Sequence, residues 1–278
     1  MGDMKILAVD TATRSCSIAV VEERSLLAEM TTARKQTHSK HLMEMINRVM
    51  ELSGLTLSEL DGFAVTRGPG TFTGLRIGIS SVKGLATASG KPVVGISSLE
   101  SLAAQASFFP YLICPLIDAR RGEVYFSRYR FQHGQLKNEA DEQVFSPEKA
   151  VFDLNEACLF IGDGALLYQT MILNKMGKFA FFASSFQNII RASTVAYLSM
   201  NRFKNGDTDD VAQFVPQYIR RSDAELNLTG PKSGVLNSIG KRYIPSWSVL
   251  PILGIKFDGF VKSPTSALCC ISQSFNVR

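Results

Sequence analysis

The amino-acid sequence predicts an α/β fold made of two similar halves, each a mixed sheet flanked by helices. The first observation is a buried strand ending in a carboxylate, Lys5–Asp10, followed by the turn Thr11–Ser15 and a return strand, Cys16–Val21. The second is that the pattern recurs: Tyr111–Ile117 leads to Asp118, Ala119–Gly122 makes the turn, and Glu123–Tyr129 alternates as the return strand. The third is the alternation of strand and helix patterns between and after the two hairpins. The duplicated unit puts Asp10 and Asp118 at equivalent strand ends, where a cleft between the halves would lie.

After the first hairpin, the apolar period from about Ser39 to Ser53 reads as a helix and Gly62–Thr66 as a buried strand. A glycine turn leads into a second helix, from about Gly74 to Ser89. The strand Pro92–Ile96 and a helix from Ser98 close the first half near Phe108. In the second half, the strand Ala157–Ile161 is followed by the turn Gly162-Asp163-Gly164 and a helix around Leu166–Met176. Another helix runs from about Ser193 to Lys204, and Pro216–Arg221 ends the ordered body. The expected organisation is an N-terminal half over 1–108 and a C-terminal half over 109–222, whose last helix and strand pack back toward the first. Residues 223–278 form a basic tail without a clear period, expected to be poorly ordered, in which Tyr243, Trp247 and Phe257 are candidates for docking.

With 278 residues, 45% of them apolar and 20% charged, the chain has ample core for a soluble globular protein. The net charge of +5 is concentrated at the end, because Pro231–Arg278 holds six cations against Asp258 alone. Residues 1–230 are neutral in sum, so electrostatic attraction to nucleic acid is expected chiefly from the tail. The N-terminus enters a strand pattern directly, without a basic and then apolar leader, and no apolar run approaches spanning length. A cytoplasmic location with no membrane contact is expected. Cys16, Cys114, Cys158, Cys269 and Cys270 are odd in number with no Cys-x-x-Cys, which suits reduced cysteines, the last two being the ones open to reaction.

The most informative stretch is Val65–Gly78, a strand, a glycine turn and a helix start almost free of charge. Pro69 fixes one φ, Gly68, Gly70 and Gly74 permit positive φ or close approach, and Thr71 or Thr73 is placed to cap the helix. Leu75, Ile79, Val82 and Ala86 form one stripe and Gly78, Ser81 and Leu85 another, with only Arg76 and Lys83 charged. Two readings compete, an anion cradle at a helix N-terminus or a contact helix whose glycines let another helix approach closely, beside the plainer one of a helix wholly inside its own core. The absence of a Gly-Lys-Ser/Thr ending and of Gly-x-Gly-x-x-Gly favours contact. In the preceding helix Leu42, Met45, Ile46 and Val49 make one stripe, and Met43 and Met50 a surplus one that suits an adaptable helix contact.

Asp10 and Asp118, with Thr11, Thr13, Gly162 and Gly164, are candidates to hold a magnesium–phosphate group across the cleft. The competing reading is that each aspartate caps its own turn, since Ala12-Thr13-Arg14 and Ala119-Arg120-Arg121 are bulky for a phosphate loop. His38 and His41 stand three apart, an offset that does not suit one metal ion on a helix face, and no metal site is expected. No Gly-x-Ser-x-Gly, His-Glu-x-x-His or cysteine–histidine arrangement appears, so an enzyme acting alone is not expected.

The runs Lys5–Thr13, His38-Ser39, Thr66–Gly78, Val94–Leu99 and Asp118–Tyr125 closely resemble the TsaB (YeaZ) family over about residues 4–222. The resemblance implies an actin/Hsp70/hexokinase-like (ASKHA) fold of two RNase H-like halves. It implies a non-catalytic scaffold subunit that activates a TsaD-type transferase, the enzyme making N6-threonylcarbamoyladenosine at position 37 of ANN-reading tRNAs. A TsaE-type ATPase would join the pair, tRNA would be met through the complex, and the isolated chain would form a homodimer. ATP and magnesium would serve the wider complex, with no cofactor bound tightly by this chain. The contact would use Ser39–Ser53 and Leu75–Ser89, with Leu42, Met43, Met45, Ile46, Met50, Gly74, Leu75, Gly78, Ile79 and Val82 at the interface. Asp10, Thr11, Thr13, Asp118, Gly162 and Gly164 would mark a vestigial nucleotide cleft. The rival readings are an ATP-dependent small-molecule kinase of the same fold and a metal-dependent peptidase acting through His38 and His41.

Overall fold

The computed structural model of the chain describes residues 3–23, 25–33, 38–107 and 109–220, with side chains from 41 onward in the first helix. The tail 223–278 with Cys269 and Cys270, Arg221 and the side chain of His38 lie outside the described residues.

The first sheet contains β1 (Lys5–Asp10), β2 (Cys16–Glu22), β3 (Ser25–Thr32), β4 (Gly62–Gly68) and β5 (Val93–Ser97), in the order β3-β2-β1-β4-β5. β1, β2 and β3 form an antiparallel meander, and β4 and β5 add in parallel beside β1. The second sheet contains β6 (Leu112–Arg120), β7 (Glu123–Gln132), β8 (Gln135–Phe145), β9 (Cys158–Ile161) and β10 (Ala180–Phe182), in the order β10-β9-β6-β7-β8. This is the same topology again: β6 to β8 are the meander, and β9 and β10 the parallel strands. The molecule therefore has the ASKHA architecture of two RNase H-like halves.

Three cores hold these layers together. On the outer face of the first sheet, α1 (His38–Ser53) and α2 (Phe72–Ser89) cover Leu7, Val9, Ile18, Val20 and Phe63. Between the two halves lie α3 (Ser98–Ala104) and α7 (Ala192–Lys204), packed with Ile6, Ala8, Ile113 and Ile117 in one continuous cluster. On the far side, α4 (Pro147–Ala150), α5 (Asp163–Leu167) and α6 (Gln169–Met176) cover Leu116, Val124 and Phe160. The helix expected around Leu166–Met176 is thus two short helices meeting at Tyr168, and the one expected at Gly74 begins two residues earlier, after Thr71.

Candidate functional site: strand-end turns and outer helices

Both hairpin turns are closed by their own aspartate. Asp10 Oδ1 accepts from the Ala12 N–H at 3.1 Å and from the Thr66 hydroxyl at 2.8 Å. Asp118 Oδ1 accepts from the Arg120 N–H at 2.8 Å, the same bond to the residue two ahead at the equivalent place in the second half. Asp10 is fully buried, its Oδ2 has no partner, and burial pushes its pKa up to about 7 against the lowering effect of the Ala12 and Thr66 bonds. Asp118 turns outward to the Arg120 guanidinium at 3.1 Å, and its N–H donates to Oδ1 of Asp163 at 3.0 Å.

The other residues expected to wrap a nucleotide are committed elsewhere. The Thr11 hydroxyl donates to the Gly74 carbonyl at 2.8 Å, and the Thr13 and Ser15 hydroxyls share a 2.9 Å bond. The Gly162 N–H donates to Asn188 Oδ1 at 2.8 Å, and Gly164 packs on the Leu116 backbone as part of α5. The glycine loop before α2 lies against the first hairpin, where the Thr71 N–H donates to the Ala12 carbonyl at 2.7 Å. A Cβ at Gly70 or Gly74 would strike the carbonyls of Ala12 or Thr11. The glycines of this loop admit the chain's own hairpin turn rather than another helix. Asp10 and Asp118 thus close their own turns, the second of the two expected readings, and Thr11, Thr13, Gly162 and Gly164 are taken up in turns and close contacts.

His41 Nδ1 faces Glu44 Oε2 at 3.5 Å, and among the described residues no three His, Cys, Asp or Glu side chains converge.

The expected interface residues also need correction. Leu42, Met45, Ile46, Met50, Gly74, Leu75, Gly78, Ile79 and Val82 are buried in the chain's own core, and only Met43 faces outward, 44% exposed. The reason is elementary: the most apolar stripe of a surface helix is the one its own sheet covers, and periodicity detects that stripe. From Ile77 onward the outside of α2 presents exposed Ser80, Gly84, Thr87 and Ala88 with half-buried Ile77, Ser81 and Leu85, all uncharged, while Phe72, Thr73 and Arg76 are exposed in its first turns.

Both cations of α2 are drawn away from that strip by the segment 209–220. Lys83 Nζ donates to the Ala212 and Phe214 carbonyls, each at 3.0 Å. Arg76 lies 3.7 Å over the Phe72 ring and donates from Nε to the Tyr218 hydroxyl at 2.9 Å, while Phe72 and Tyr218 stack at 5.0 Å. The segment starts beside β5, where the Asp209 N–H donates to the Val93 carbonyl at 2.9 Å and Asp209 Oδ2 accepts from the Gly95 N–H at 2.8 Å. Phe214 lies over Gly95, where a Cβ would come within 2.6 Å of the ring. The segment ends with Arg220, which donates to the Ala119 carbonyl and pairs with Glu123 at 2.9 Å in the second half. Nothing periodic in 209–220 signalled this strap, because its grip is made by single side chains, Asp209, Phe214, Tyr218 and Arg220, and by the carbonyls that receive Lys83.

Comparison with known proteins agrees with this architecture. The family model for TsaD, tRNA N6-adenosine threonylcarbamoyltransferase, matches residues 25–228. The tRNA threonylcarbamoyladenosine biosynthesis protein TsaB of Bacillus subtilis is 33% identical over 225 residues, 80% of this chain and 96% of that protein. TsaB of Escherichia coli is 30% identical over 235 residues, 82% of this chain and 99% of that protein. The solved structure of YeaZ from Pseudomonas aeruginosa superposes with a TM-score of 0.67 at 29% identity, covering 77% of this chain and 99% of that one. With the two-half fold and its self-closed turns, these likenesses show that the chain belongs to the TsaB (YeaZ) family of TsaD-related proteins.

Proposed function

We propose that this chain is a non-catalytic subunit in the synthesis of N6-threonylcarbamoyladenosine on tRNA, and that it holds a TsaD-type transferase in its competent form. The observation that carries this reading is the outer surface of α2: a neutral strip of small residues from Ile77 to Ala88, with Met43 of α1 also exposed and the two α2 cations committed to the strap. Small side chains let a second helix approach closely, and the absence of charge removes the desolvation penalty that a dry contact would otherwise carry. A standard association would bury about 1,600 Å² in all. The same face would serve a homodimer when the chain is alone, and a TsaE-type ATPase and tRNA would join through the transferase. ATP and magnesium would act in the wider complex.

The turn geometry fits the non-catalytic half of the proposal. Asp10 is sealed and Thr11 is bonded to α2, so neither is free to meet a phosphate. Reconstitution tests the reading: a purified TsaD-type transferase from the same source, supplied with tRNA and threonylcarbamoyl adenylate, is expected to modify tRNA only when this chain is added. Full modification without it would overturn the proposal. Calorimetry with ATP and magnesium tests the kinase reading, which requires tight binding to the chain alone.

A further inference from the structure

The segment 209–220 holds the two cations of α2 by contacts that are few and mostly exposed. It contains no helix or strand, and among the described residues its backbone bonds to the rest of the chain are those at Asp209 and at Gln217, whose N–H donates to the Arg67 carbonyl at 2.7 Å. Phe214, 7% exposed, is its one buried side chain, while Asp210, Ala212, Gln213, Val215, Gln217 and Tyr218 are exposed. Segments with so little buried apolar surface and so few sheltered backbone bonds open on their own, at a free energy well below that of global unfolding.

Opening changes α2 as well as the strap. Among the described residues, both hydrogen bonds of Lys83 Nζ go to strap carbonyls, and the Nε bond of Arg76 goes to the strap's Tyr218. Residues three and four apart on a helix are neighbours, which places Lys83 beside Ser80 and Thr87, and Arg76 beside Ser80. Ser80 and Thr87 belong to the uncharged strip. Held by the strap, the two long side chains are turned away from it; released, both lie within reach of it. The hold itself rests on the start of the segment, where Asp209 accepts from the Gly95 N–H and pairs with Arg202 at 3.3 Å, and where Phe214 covers Gly95.

We propose that the strap is a gate on the outer face of α2: closed, it keeps Lys83 and Arg76 to one side and leaves the strip neutral, and open, it lets both cations lie across the strip. This gives the regulation of the face proposed above, and its consequence for the transferase rests on that reading. A partner that needs a dry, uncharged strip binds the closed form, and by linkage its binding closes the strap. The gate itself belongs to the chain alone.

Acetylation of Lys83 by an N-hydroxysuccinimide ester, followed on the full chain by peptide mass spectrometry, reads the gate without any partner. Asp209→Ala removes the acceptor of the Gly95 N–H, and Phe214→Ala removes the buried anchor. Each is expected to speed Lys83 labelling about tenfold or more, while Lys175 in the second half is labelled at the parental rate. In calorimetry against the transferase, Asp209→Ala is expected to bind about tenfold more weakly, and Asp209→Ala/Lys83→Met to recover to within about threefold of the parent. Parental labelling of Lys83 in both variants would overturn the gate. So would parental affinity of Asp209→Ala for a transferase that Gly84→Arg repels, or a loss that Lys83→Met fails to recover. Failure of the transferase reading has a different signature: Gly84→Arg then binds like the parent, while Lys83 labelling still responds to Asp209→Ala.

Discussion

The hydroxyl of Thr66, at the end of β4, donates a 2.8 Å hydrogen bond to the carboxyl of Asp10, at the end of β1. This bond ties two parallel neighbours of the first sheet at the point where the chain leaves β1 for the hairpin turn Thr11–Ser15 and β4 for the glycine turn before α2. It also leaves Oδ2 of Asp10 sealed without a donor.

The pH dependence follows from that burial. Burial pushes Asp10 up from 3.8 to about 7, so between those values the folded chain keeps a proton that the unfolded chain has released. Stability is therefore expected to fall as pH rises from about 4 to about 7, and to level off above. Asp10→Asn keeps an acceptor for Thr66 and Ala12 without the charge. It is expected to stabilise the fold by about 2–4 kcal/mol at pH 8 and to bring no gain at pH 4, read by urea denaturation at both. Equal effects at the two pH values would contradict this.

The contact between Thr11 and α2 predicts a coupling. A Cβ at Gly78 would strike Thr11 Oγ1, a side-chain atom, whereas one at Gly74 would strike the Thr11 carbonyl, which cannot withdraw. Gly78→Ala is expected to cost about 1–3 kcal/mol and to be rescued in part by Thr11→Ala, with a coupling of at least about 1 kcal/mol in a double-mutant cycle. Gly74→Ala is expected to be the more damaging change, with no rescue from Thr11→Ala.

Glu29 on β3 anchors the start of α7. It accepts from Arg191 Nε at 2.9 Å, from the Ser193 N–H at 3.2 Å and from the Ser193 hydroxyl at 2.9 Å. Burial alone would push its carboxyl up, but the Arg191 and Ser193 bonds outweigh it and hold the group below its usual 4.5. That contribution is present above pH 4.5 and is lost as pH falls through the lowered folded value. Glu29→Gln is expected to cost about 1.5–3 kcal/mol at pH 7, a difference that narrows in acid, measured by thermal melting across pH.

Much of this was legible in the sequence, because a buried strand ending in Asp and a tight turn leave a local pattern. The two hairpins, the glycine-turn helix and the order of the α/β units are of that kind. β8 was not legible: Gln135–Phe145 is mostly polar and extended only because β7 pairs with it. The helix faces were half legible. Leu42, Ile79 and Val82 announce an apolar stripe, but whether a sheet of the same chain or another protein covers it depends on tertiary placement, and here the sheet does. The aspartates posed the opposite difficulty, since the same residue type serves an Asx turn or a metal, and only the bonds to Ala12 and Arg120 distinguish them. Of the strap 209–220, Pro216–Arg221 was expected as a last strand packing back toward the first half, whereas the structure shows no strand at 216–220, and the roles the segment gives Arg76 and Lys83 had no periodic signal.

If the uncharged outer strip of α2 receives the transferase, as proposed, Gly84 is the position at which that contact is most directly tested. A Cβ there meets nothing within 4 Å, so Gly84→Arg adds bulk and charge to the middle of the strip without disturbing the chain's own packing. Titration calorimetry of this variant against a TsaD-type partner is expected to show affinity at least about 100-fold below the parent, with an unchanged melting temperature, because an arginine in a dry centre costs several kcal/mol. Parental affinity in a Gly84→Arg chain that folds normally would show that the transferase binds elsewhere.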